Sequence, residues 1–206
     1  MSQTRFRPTE LATSGGSNFL GFVECGIVDY EDRADQFDWA DVYIVAVLNL
    51  KNSQYPQELR IVGSYDKEPN GNIVTCTLLK RLYAFFDVIG FNGGPNVQGE
   101  MVDEKGESID LVDYLNHNHI TNVLKPEHKH LVYLYKEAGR KNPSKHYTVA
   151  FPRIAPNTPQ GRRDLEGYIN FMKSKNLIKE VQQGTSTNAS NDSPNGDMDN
   201  GDLKGF

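Results

Sequence analysis

Cysteine is scarce: the 206-residue chain has two, Cys25 and Cys76, set far apart in the sequence. Neither belongs to a Cys-x-x-Cys pair, so zinc-ribbon and dithiol redox chemistry have no motif, and a reducing cytoplasm is expected. Tryptophan occurs once, as Trp39. No window approaches the roughly 18 consecutive apolar residues of a membrane span, and Met1 to Ser17 has no apolar stretch of signal-peptide length. No Gly-x-x-x-x-Gly-Lys-Ser/Thr loop is present to cradle a triphosphate. Gly93-Gly94 belongs to no dinucleotide fingerprint, and no Gly-x-Ser-x-Gly marks a hydrolase nucleophile. These absences point away from the common enzyme classes; the chain is expected to be no enzyme and to need no cofactor.

The net charge of −5 conceals a strong asymmetry. Residues 1–122 carry 9 Lys and Arg against 18 Asp and Glu, residues 123–180 carry 12 against 5, and residues 181–206 carry 1 against 4. An acidic body, a basic segment and an acidic end leave a local excess of cations that attracts phosphates despite the overall sign. A solvated basic face is the plain alternative.

Three regions follow: a loose terminus over 1–17, a folded domain over 18–180, and a polar tail over 181–206. The tail is Gln, Gly, Thr, Ser, Asn and Asp with few apolar side chains, too few to offset the entropy of ordering it. Within the domain, Phe19 to Tyr30 reads as a strand. Asp41 to Lys51 alternates strictly, with Val42, Ile44, Ala46, Leu48 and Leu50 on one face and Tyr43, Val45, Val47, Asn49 and Lys51 on the other. Glu58 to Tyr65 gives a third strand. The period then becomes helical through Leu78, Leu79, Leu82, Phe85, Phe86 and Ile89, with Gly90 as the expected C-terminal glycine.

A Gly-rich stretch, a small hairpin around Glu104-Lys105-Gly106 and a short helix over Ile109 to Asn116 follow. Two more strands, His130 to Lys136 and Lys145 to Phe151, flank a basic loop. Thr158 and Pro159 open a last helix with Leu165, Ile169 and Met172 on its buried stripe. Three strands, a helix and two strands match an OB-fold-like, mainly β, five-stranded Greek-key barrel with an insertion and a C-terminal helix.

Binding an unpaired strand takes cations along the backbone track and flat rings for the bases. The fourth and fifth strands are expected to supply both: Tyr133, Tyr135, Tyr147 and Phe151 as rings, with Lys136, Arg140, Lys141, Lys145 and Arg153 around them. Tyr43, Lys51 and Arg60 extend the surface. The same rings would otherwise be core. Trp39, among Asp35, Asp38 and Asp41, is expected to pack, because that neighbourhood repels phosphate.

His117, His119, His128 and His130 form two His-x-His pairs, and Asp103, Glu104, Glu107, Asp110 and Asp113 supply acids for a metal-dependent nuclease. With no Cys or fixed-spacing acid beside the histidines, no metal site is assigned.

The final residues include Asp197, Asp199, Asp202 and Leu203 and reach Phe206. This end resembles that of the phage and bacterial single-stranded-DNA-binding proteins, in which an OB-fold and a Gly/Asn/Ser-rich linker precede an acidic tip reading D-D-D-I-P-F or D-D-L-P-F. Asp202, Leu203 and Phe206 match in kind; Lys204 is added and Gly205 stands where Pro is usual. Leu131 to Glu180 is similar, more diffusely, to phage proteins of replication modules. The resemblance implies a strand-coating protein of phage replication or recombination in the host cytoplasm. Its partners would be single-stranded DNA and replication or recombination proteins recruited through Asp199, Asp202, Leu203 and Phe206, with a homo-oligomer allowed. The rivals are a protein–protein or virion-assembly module and the nuclease.

Overall fold

The computed structural model describes residues 20–120, 124–139, 142–178 and 180–181. The expected terminus over 1–17, the tail beyond Val181, and Arg140 and Lys141 of the basic loop lie outside them.

The protein is mainly β: a five-stranded antiparallel sheet with three helices. Strands β1 (Gly21–Asp32), β2 (Val42–Leu50) and β3 (Gln57–Gly63) form a meander, and β6 (His130–Ala138) and β7 (His146–Pro156) a hairpin. The short pair β4 (Gly94–Pro95) and β5 (Met101–Val102) forms a separate ribbon. The sheet order is β3-β2-β1-β6-β7. Its two edges roll toward each other, with Glu58 and Arg60 of β3 facing Thr148 and Ala150 of β7 across a small cleft of about 140 Å³.

Period-two patterning sets the inner face. Ile44, Ala46, Leu48 and Leu50 of β2 meet Leu59 and Ile61 of β3, Cys25 of β1, Val132 and Leu134 of β6 and Ile154 of β7, all buried. Helix α1 (Thr77–Ile89) closes this core with Leu78, Leu82, Phe85 and Phe86. It stops at Gly90, whose φ of 76° is the left-handed conformation that a side chain would strain. Helix α2 (Leu111–Asn118) adds Leu111 and Leu115 and is capped by the Asp110 carboxylate, which accepts from the Asp113 amide at 3.0 Å.

Helix α3 (Pro159–Ser174) begins as its sequence predicts, with the Thr158 hydroxyl accepting from the Gly161 amide at 3.0 Å. It packs on the outer face of β6 and β7, where Leu165 and Ile169 bury Leu131, Tyr135, Phe151 and Ala155 in a second core. This second layer decides which aromatics are free.

Candidate nucleic-acid interface

The β6–β7 surface differs from its expectation. Phe151 is 1% exposed and packs edge-on to Tyr168 of α3, so it is a core residue. Tyr135 is 9% exposed in the same layer, and burial pushes its phenol up to about 12. Tyr133 is half-buried and its hydroxyl is occupied on both sides, donating to Glu180 at 3.0 Å and accepting from Lys173 at 2.9 Å. Lys173 and Glu180 are themselves paired at 2.5 Å, and the Lys173 ammonium lies 4.9 Å from the Tyr133 ring centre. Burial alone would lower the Lys173 pKa; the Glu180 carboxylate and the Tyr133 hydroxyl reverse that and raise it. The segment after α3 joins this cover, with the Val181 amide donating to the Lys136 carbonyl at 2.8 Å.

Phe151 and Tyr135 are therefore closed to a base, and Tyr133 is held in a polar cluster. The reason is that α3 supplies apolar partners to a strand face that alternation alone leaves looking half-exposed. Tyr147, half-buried, lies against Gly139, where an added Cβ would stand 2.6 Å from the ring. Lys136 and Lys145 keep no ion-pair partner among the described residues, and Lys145 is exposed. Arg153 does not extend this surface: its guanidinium sits 4.6 Å over the Tyr168 ring in a cleft beside α1.

Exposed rings stand elsewhere: Tyr55, Tyr83 and Phe171 singly, and Phe37 and Trp39 together on the turn joining β1 to β2. Residues Ala34–Gln36 make a single 3-10 turn; the Phe37 amide donates to the Ala34 carbonyl at 3.1 Å and the Ala40 amide to the Phe37 carbonyl at 3.0 Å, with Trp39 between them. Phe37 stacks on Tyr43 of β2 with ring centres 5.0 Å apart and planes 25° apart. Trp39 lies beside this pair, its ring centre 6.1 Å from that of Phe37 and its plane tilted by 59°. Trp39 is 58% exposed and Phe37 37%, so the packing role expected for Trp39 is corrected.

The turn is fixed at its base. The Trp39 carbonyl accepts from the Ser64 hydroxyl, and the Asp41 carboxylate accepts the Tyr65 amide at 2.8 Å while pairing with Lys67 at 3.2 Å. Tyr43 alone of this row was expected at a binding surface. Phe37 and Trp39 carried one overlooked signal: two large rings in a short polar connection with no periodic partner to bury them.

Beside the rings, an ion network crosses the outer face of β2. Arg33 bonds Glu31 at 2.7 Å and Glu58 at 2.8 Å, and Glu58 also holds Arg60 at 2.6 Å. Glu31 and Arg60 both stand opposite Val45 in register, which fits the complete burial of Val45 on an outward face. Burial pushes the Glu58 carboxyl up, but the two guanidiniums outweigh it and hold the group below its usual value. Lys51 is likewise tied to Glu24 at 2.8 Å. Arg60 and Lys51 are therefore charge-compensated cations that a phosphate would have to share.

The histidines do not gather. The His128 ring bonds Asn49 at 3.1 Å, His119 rests against Phe91 and Tyr114, and the His130 Nδ1 is buried without a hydrogen-bond partner. Among the described residues no three His, Cys, Asp or Glu side chains could hold a metal ion. Both cysteines are free and buried, and burial pushes the Cys25 thiol up to about 12. No described helix is long and apolar enough to cross a membrane. The tail residues Asp199, Asp202, Leu203 and Phe206 lie outside the described residues.

Comparison with family models, with curated proteins and with solved structures found no match to this chain.

Proposed function

We propose that the chain is a single-strand nucleic-acid-binding protein of OB type, acting on single-stranded DNA by holding it and not by cleaving it. The observation that carries this reading is the pair of exposed rings Trp39 and Phe37, backed by the half-buried Tyr43 and pinned on the first hairpin of a rolled five-stranded sheet. Counted within the sheet alone, the strands run third, second, first, fourth, fifth, with α1 between the third and fourth. This order supports an OB reading, in which an oligonucleotide face lies over the second and third strands. Every base has a flat face, and stacking on an exposed ring contributes about 1–3 kcal/mol per base without reading sequence. Lys136, Lys145 and the basic 139–145 loop would supply phosphate contacts at the second hairpin. Protection of replication or recombination intermediates, and recruitment of partners by the acidic tail, extend the same reading.

A second reading rests on a specific feature. Asp32, Asp35, Asp38 and Asp41 are all exposed around the ring row, a setting that suits a cationic protein surface better than a polyanion. Fluorescence anisotropy of a labelled oligo-dT separates the two. The nucleic-acid reading requires saturable binding that weakens steeply with salt and is lost in Trp39→Ala. Absent binding at low salt, with self-association that Trp39→Ala abolishes, would replace it with the protein-interface reading.

A further inference from the structure

We propose that the cleft between α1, β7 and α3 is a binding site for a nucleoside phosphate monoester, a ligand that joins a dianionic head to a flat, largely apolar body. The cleft encloses about 610 Å³, inside the range of small-molecule sites. Met172, Leu177 and Tyr168 line its apolar part over a floor formed by the buried Phe85, Phe151 and Ile154. Three cations share the same cleft: Lys80 and Arg81 of α1 and Arg153 of β7.

None of the three has a carboxylate partner among the described residues, in contrast to Arg33, Arg60, Lys51, Lys67, Lys129 and Lys173. Arg153 is half-buried and stacked on Tyr168, so its fork is fixed in place while its N–H donors have no described acceptor. Cations gathered on one apolar cleft repel one another until an anion joins them, and the apolar lining beside them suits the body of the ligand. Lys80 and Arg81 also stand near the positive end of α1, whose first turn has no acidic residue and whose N-cap Cys76 makes no side-chain cap. That placement disfavours the helix unless negative charge arrives. The end of α1 sharpens this argument, and the cleft carries it.

The site shares no residue with the Trp39 row, so it stands or falls separately from the proposed strand face. Isothermal titration of the full chain with dTMP, thymidine and inorganic phosphate tests it. The expected result is saturable one-to-one binding of dTMP, at least tenfold tighter than either fragment. Arg81→Gln, an exposed substitution that leaves the core intact, should weaken dTMP at least tenfold, and Trp39→Ala should leave it unchanged. Arg153→Gln repeats the test from the sheet side. Two sources of the same chemistry are separated by comparing 5′-phosphorylated and 5′-hydroxyl oligo-dT. A preference for the phosphorylated strand that Arg81→Gln removes identifies a strand end, and equal affinities identify the free nucleotide. The proposal is overturned if dTMP binds no better than inorganic phosphate, if Arg81→Gln leaves its affinity intact, or if Trp39→Ala abolishes it.

Discussion

Replacing Phe151 by alanine separates a core role from a binding role more cleanly than any other change. Its ring is 1% exposed and is enclosed by Tyr168, Leu165 and the rest of the layer under α3. Truncation removes most of a fully buried side chain and leaves a cavity that the sheet and helix fill only in part, at a cost of about 3–5 kcal/mol. For a domain of this length each kcal/mol moves the midpoint by roughly 2–4 °C, so Phe151→Ala should melt on the order of 10 °C lower. Oligo-dT affinity of the folded fraction should stay within about twofold. Trp39→Ala should behave oppositely. A side chain 58% exposed contributes little to folding, within about 0.5 kcal/mol, while loss of one stacking ring should weaken the oligonucleotide by about 1–3 kcal/mol, or roughly 5- to 150-fold. Circular dichroism melts and anisotropy titrations on the two variants give both readouts. A Phe151→Ala protein that melts like the parent yet loses oligonucleotide would refute the assignment of that ring to the core.

Three further outcomes follow from the geometry. Gly161→Ala places a Cβ 2.2 Å from the Pro156 carbonyl oxygen and should destabilise by about 1–3 kcal/mol, seen as a lower denaturant midpoint. Gly167→Ala on the same helix meets nothing within 4 Å and should raise the midpoint by about 0.5–1 kcal/mol. His130 is held below its ordinary 6.5 by burial and by Lys129, so its contribution is whole above that pH and fades as pH falls toward the lowered value. His130→Asn should therefore flatten the melting temperature between about pH 7 and pH 5; an unchanged slope would assign that slope to other groups.

Much of the fold was written in local pattern. The strict alternation of Val42 to Leu50 put the inner face of β2 on the correct side, and Gly90, Thr158 and Pro159 marked helix ends where they occur. The binding surface was less legible, for a physical reason. Leu131, Tyr133 and Tyr135 alternate with Val132 and Leu134, so both faces of β6 are apolar, a sign of burial on two sides. Reading one of those faces as open ignored what the stripe of Leu165 and Ile169 on α3 had to cover. Trp39 failed in the opposite direction. Its acidic neighbours predict packing, whereas two large rings in a short connection with no periodic partner stand exposed. The ionic partners of Arg60 and Lys51 depend on cross-strand register and cannot be read from composition.

Trp39 is the sole tryptophan, which makes the proposed stacking row its own reporter. A titration with oligo-dT, followed by intrinsic tryptophan emission at low and moderate salt, tests the central claim directly. The account predicts saturable quenching whose midpoint moves to higher concentration as salt rises. Emission that stays constant at low salt, under oligonucleotide in large excess, would contradict it.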